Sequence, residues 1–129
     1  VIAKLRAILA ELNVPSAQRD SWFGWASAQL AHAMIGAALA GGLVFILPPA
    51  AALFLVVVGY AALKEVLDFC RAPSWAAARD CAQDALFVAA GAALAVAIAG
   101  GQVWLFVLAL IAAAIGLWFG VAARLHPRV

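Results

Sequence analysis

Four long apolar runs divide this chain, and the middle of each is free of charge. They cover about 22–47, 50–69, 81–99 and 103–123. A stretch of roughly 20 apolar residues is enough to cross a bilayer as a helix, and the last run has no polar face at all. A helix apolar all round has to be buried, in protein or in lipid. Of the 129 residues, 69% are hydrophobic and only 11% charged, against about a quarter charged in an ordinary soluble domain. A small globule leaves too much surface exposed to hide such an excess. The expected fold is therefore all-α, a four-transmembrane-helix bundle with the lipid bilayer as its second apolar solvent.

The joints between runs support the same division. Pro48-Pro49 stops one helix and suits the first turn of the next, and Gly100-Gly101-Gln102 marks a second uncharged turn. Between runs two and three lies a charged connection, in which Ser74 is placed to cap a helix starting at Trp75. Ahead of the bundle, Ile2, Leu5, Ile8, Leu9 and Leu12 recur at helical spacing with Lys4, Arg6 and Glu11 between them. This predicts an amphipathic interfacial helix over 1–15, with the transmembrane domain over 16–129. Its charges interrupt the continuous apolar core that a secretory leader would need. Trp22 and Trp25 stand where an interfacial aromatic belt is expected.

Charge is distributed one-sidedly. With four spans, all eight basic residues (Lys4, Arg6, Arg19, Lys64, Arg71, Arg79, Arg124, Arg128) and all six acids (Glu11, Asp20, Glu65, Asp68, Asp80, Asp84) fall on one side or at its helix ends. The excess of positive charge there predicts a multi-pass membrane protein with both termini in the cytoplasm. A net charge of +2 with scattered basic residues leaves no phosphate-binding stripe and excludes a nucleic-acid partner. Cys70 and Cys81 make neither a disulfide framework nor a zinc pair and are expected to be reduced and packed.

Polar residues at span depth are functional hypotheses by default. Trp25, Gln29, His32 and Gly36 share one face of the first helix. Lys64 and Asp68 are four apart and positioned to pair, with Glu65 on an adjacent face; Asp80, Asp84 and Gly91 share a face of the third helix. A pocket near the charged side is expected to gather Gln29, His32, Glu65, Asp68, Asp80 and Asp84. Either these groups satisfy one another and fix helix register, or His32 and the carboxylates Glu65, Asp68, Asp80 and Asp84 form an acid/base site. No HExxH, phosphate loop, haem-ligand pair or nucleophile elbow is present, so neither a metal nor another cofactor is expected. Gly36, Gly91, Gly116 and Gly120 form small faces for helix packing, the last two as a GxxxG that serves either the chain itself or an oligomer.

The segments AHAMIGAALA, LPPAAALFLVVVGYAALKEVLDF and SWAAARDCAQDALFVAAGAAL resemble small bacterial and phage-encoded membrane proteins of the VanZ-like kind. Those carry an early histidine in a first span, Lys-Glu and an acid ending a second, and an aspartate opening a third that ends in Gly-Ala-rich sequence. His32, Lys64, Glu65, Asp68, Asp80, Asp84 and Gly91 match that pattern, which covers about half the chain. The resemblance implies a four-helix architecture and the polar cluster. Three functions follow as expectations: a structural or accessory component with a protein partner or a second copy; a VanZ-like enzyme or resistance factor; or a holin-like permeabilising protein.

Overall fold

A computed structural model of the chain describes residues 21–71 and 73–125. The expected interfacial helix over 1–15 and the basic tail after Leu125 lie outside these residues. Four helices make up the described fold, α1 (Trp22–Leu43), α2 (Pro49–Arg71), α3 (Trp75–Gly100) and α4 (Val103–Leu125), and each is long and apolar enough to cross a membrane. Among the described residues there is no strand, and the architecture is an all-α bundle.

The helix ends follow from local chemistry. Ser21 Oγ accepts the Gly24 amide at 3.0 Å to start α1, and Ser74 Oγ accepts the Ala77 amide at 3.0 Å to start α3, each satisfying a donor that helical geometry leaves orphaned. α3 therefore begins at Trp75, earlier than the apolar run that starts at Cys81, because capping rather than hydrophobicity sets its first turn. α1 stops at Leu43, short of the expected 47; residues 44–47 form turns into Pro48, whose extended backbone sets Pro49 as the first residue of α2. α3 closes on Gly101 at φ 64°, with Gln102 N–H donating to Ala97 O at 2.8 Å and Gly101 N–H to Ile98 O at 3.4 Å. This pair of bonds is a Schellman closure, which requires the left-handed conformation that glycine adopts without steric cost.

The bundle is rhombic in cross-section. α1 and α3 face each other across the short diagonal, while α2 and α4 occupy opposite corners, each touching both. α3 is the hub: half of its most apolar window is buried, against 11% for α4. Its short diagonal is built from glycine. A Cβ on Gly36 would stand 2.0 Å from the Val88 carbonyl oxygen, and one on Gly91 1.8 Å from that of Ala33. Only the absence of a side chain at both positions lets the backbones meet. Below this crossing, Ala40, Val56, Val88, Ala92 and Val96 form an apolar core.

The glycines of α4 receive aromatic rings from within the chain. Trp25 and Phe87 meet edge to face at 6.2 Å between centroids. A Cβ on Gly120 would overlap the Trp25 ring at 1.8 Å, and one on Gly116 would press on Phe87 at 3.1 Å. This GxxxG face is thus occupied intramolecularly. Trp25 is fully buried and is not part of an outward-facing aromatic belt; Trp22, 46% exposed, does face outward. The difference is one of position rather than of helical phase: Trp22 is the first residue of α1, at its open end, whereas Trp25 stands one turn further in, against Phe87 and Gly120. Cys70, expected to be packed, is exposed near the end of α2, and both described thiols are free.

Candidate functional site

The polar cluster forms where the N-terminal half of α1 meets the charged ends of α2 and α3. α1 contributes Gln29 and His32 from the face that packs on α3. Gln29 is fully buried and donates through Nε2 to Asp84 Oδ1 at 2.8 Å. His32 Nδ1 approaches the same carboxylate oxygen at 3.3 Å. Asp84 is thus shared between two side chains of α1, one and two turns from the Gly36–Gly91 crossing. Asp80 is buried one turn earlier on the same face of α3.

α2 enters the cluster through a change of helix type. Ala61–Glu65 is a π-helical turn set between regular α segments, with the Val66 amide donating to Ala61 O. One extra residue in a turn shifts the helical phase by about 100°. A straight α-helix through Ala52 and Val56, both buried, would direct Leu63 inward and Glu65 away. Instead Glu65 is buried, 6% exposed, while Leu63 is 73% exposed. The π turn is therefore what brings a carboxylate into the bundle. Cys81 Sγ donates to the Glu65 carbonyl at 3.4 Å, tying the turn to α3.

Around this interior lies a solvated arm. Lys64 Nζ bonds Asp68 Oδ2 at 2.5 Å and lies 3.7 Å from Glu65 Oε1; Arg71 Nη1 takes Asp68 Oδ1 at 3.0 Å. The expected Lys64–Asp68 pair is present, but Asp68 belongs to this outer arm rather than to the buried centre. Of the expected group, Gln29 and Asp84 are hydrogen-bonded, His32 lies within 3.3 Å of Asp84, and Glu65 is buried on α2.

Tyr60 is a cluster residue that the sequence pattern left unmarked. Its ring meets that of His32 at 6.0 Å between centroids. The signal available was its spacing, one turn before Lys64 at the end of the apolar half of α2. Arg124 was also missed. Its guanidinium stacks over Trp25 at 4.5 Å and donates to Gly120 O at 3.1 Å, closing the end of the bundle above the aromatic socket.

Two buried carbonyl-type oxygens, Gln29 Oε1 and Glu65 Oε1, have no hydrogen-bond partner among the protein groups. Buried polar atoms are nearly always matched by protein or water, and Glu65 Oε1 has Lys64 Nζ at 3.7 Å. Among the described residues, no group of three or more His, Cys, Asp or Glu side chains has a metal-holding arrangement. In chemical terms the site provides a carboxylate, Asp84, with a histidine and an amide at one oxygen, and a second buried carboxylate, Glu65, with Lys64 beside it.

Fold and cluster together define a class: an all-α bundle of four membrane-length helices with a polar core confined to one end. Comparisons with protein families, with characterised proteins and with solved structures find no match for this chain.

Proposed function

We propose that the chain is a small multi-pass protein of the bacterial inner membrane, of bacterial or phage origin, serving as a structural or accessory component of a membrane assembly. Both termini lie in the cytoplasm in this reading, and the polar cluster acts mainly as a clasp that sets helix register. The observation that carries it is the direct Gln29–Asp84 bond beside the Gly36–Gly91 crossing, which ties α1 to α3 by two independent means. Support for a partner comes from α4, whose Leu108, Ile111, Ile115, Trp118 and Phe119 stay exposed and offer a surface to a larger assembly or a second copy as well as to lipid. In-membrane crosslinking tests this: specific adducts to a partner or a second copy are expected, and a protein that remains monomeric and unpartnered counts against it. A C-terminal reporter active only outside the cytoplasm would overturn the orientation.

One observation favours a second reading, a VanZ-like enzyme or resistance factor: the buried Glu65, delivered by a π turn into the cluster that holds His32 and Asp84. π turns of this kind occur often at functional sites. Glu65→Gln and His32→Gln variants that keep their thermal midpoint but lose a phenotype would favour this reading; loss of fold and phenotype together favours the clasp. A holin-like role has no feature of the fold in its favour beyond size and span number, and induced expression that leaves cells polarised would dispose of it.

A further inference from the structure

α1 and α2 each pack on α3, and a groove of about 330 Å³ lies between them. Its walls are Leu39 and Leu43 from α1, and Leu55, Val56, Gly59 and Leu63 from α2, and it ends at Tyr60 and Lys64. From Leu55 to Lys64 the groove runs along nine residue steps, about 13 Å of helix. That is close to the roughly 15 Å half-thickness of a bilayer's hydrocarbon core. It is thus one leaflet long, apolar over its length and ionic at one end.

The ionic end has a particular charge pattern. Lys64 is the cation on the groove, with its side chain 37% exposed, and Asp68 beside it is 35% exposed. Lys64 is bracketed by two carboxylates, Glu65 and Asp68, and Asp68 in turn by two cations, Lys64 and Arg71, so the arm is neutral with both signs of charge exposed. A purely anionic head would find its cation neutralised and a carboxylate next to it. A head carrying both a phosphate and an amine offers Lys64 an acceptor and Asp68 a donor.

We propose that this groove holds one acyl chain of a membrane phospholipid with an amine-bearing zwitterionic head, the head resting on Lys64 and Asp68. The proposal rests on the membrane reading above, and on no catalytic role for the cluster. Gly59 makes the groove: a Cβ there would meet nothing within 4 Å, so a side chain at 59 projects into free space and fills the channel without displacing backbone.

The test uses the full chain reconstituted in vesicles containing equal amounts of phosphatidylethanolamine and phosphatidylglycerol, then released for native mass spectrometry. The wild type is expected to retain one phosphatidylethanolamine per chain, about fivefold over phosphatidylglycerol, the scale of one interfacial charge contact. Gly59→Phe is expected to abolish retention with an unchanged thermal midpoint; if that variant does not fold, Gly59→Val serves in its place. Lys64→Gln with Asp68→Asn is expected to erase the preference between heads. Retention by the groove-filled variant at the wild-type level overturns the site, and equal retention of the two lipids by the wild type overturns the head assignment. Quenching of Trp118 by brominated acyl chains in the same vesicles reports membrane residence separately, so failure of the groove and failure of the membrane reading are told apart.

Discussion

Gly36 and Gly91 are reciprocal: each lies against a backbone carbonyl on the other's helix, that of Val88 in one direction and that of Ala33 in the other. A methyl group at either position meets backbone, which cannot rotate away as a side chain can. Gly91→Ala gains about 1 kcal/mol of intrinsic helix propensity, yet the overlap requires the helices to separate. Overpacking of this kind costs about 1–3 kcal/mol and sometimes more, so a net loss of stability is expected. Gly42→Ala is the control, because a Cβ there meets nothing within 4 Å. Thermal melts in detergent should show a clear drop for Gly36→Ala and Gly91→Ala, and an unchanged or raised midpoint for Gly42→Ala.

The Gln29–Asp84 bond is expected to behave as a coupled pair. Asp84→Ala removes the acceptor of the buried Gln29 amide, which costs about 1–3 kcal/mol when a group is left unsatisfied. Gln29→Leu with Asp84→Leu removes both partners and should recover part of that loss. A double-mutant cycle read by unfolding in a detergent mixture is expected to give a coupling of about 0.6–2 kcal/mol, the range for polar contacts between helices in membranes. Strict additivity would show that the contact contributes nothing to stability.

Deletion of Ala62 tests the π turn. Taking one residue from Ala61–Glu65 leaves a regular α-helix whose flanking segments keep their faces, so Glu65 remains inside. Deletion of Ala92, in the regular and buried middle of α3, rotates every following side chain by about 100°. The first variant is expected to fold with a midpoint close to wild type, and the second not to accumulate. Circular dichroism and yield distinguish them; equal damage from both would show that the turn is not a tolerated insertion.

Tryptophan environments supply a fourth prediction. A variant retaining only Trp25 should emit at short wavelength and resist quenching by brominated lipid, since its ring is fully buried between Phe87, Gly120 and Arg124. A variant retaining only Trp118, 73% exposed, should be strongly quenched. Trp25→Ala is expected to lower stability by about 3–5 kcal/mol, as aromatic truncations in packed cores do.

The extent to which this fold is legible in sequence differs between its levels. The four helices and their joints follow from run length, two prolines, a serine cap and a Gly-Gly turn, because those are local effects. Gln29, His32 and Gly36 on one face, and Asp80, Asp84 and Gly91 on another, follow from a 3.6-residue period, and the structure sets those two faces together. Glu65 does not follow from that period. The sequence places it in the cluster only as a neighbour of the Lys64–Asp68 pair; its burial depends on a π turn that α-helical phase counting cannot anticipate. Trp25 has two readings in the sequence, an interfacial position and a place on the Gln29–Gly36 face; its burial follows the second, while its partners on α4 lie beyond what the period of one helix reveals. Tyr60 and Arg124 act through rings on other helices, which no spacing within one helix reveals.

The central position of α3 constrains the order in which the chain can assemble. Gln29 and His32 enter with the first helix, but the carboxylate they share is carried by the third, 55 residues after Gln29. α1 packs far less extensively on α2 than on α3, so the first pair has little to hold it together when it emerges. Assembly therefore waits for α3, and two polar side chains must be sheltered until then. A nascent chain arrested before Asp84 is expected to stay with the insertion machinery, and one extended through Gly100 to leave it.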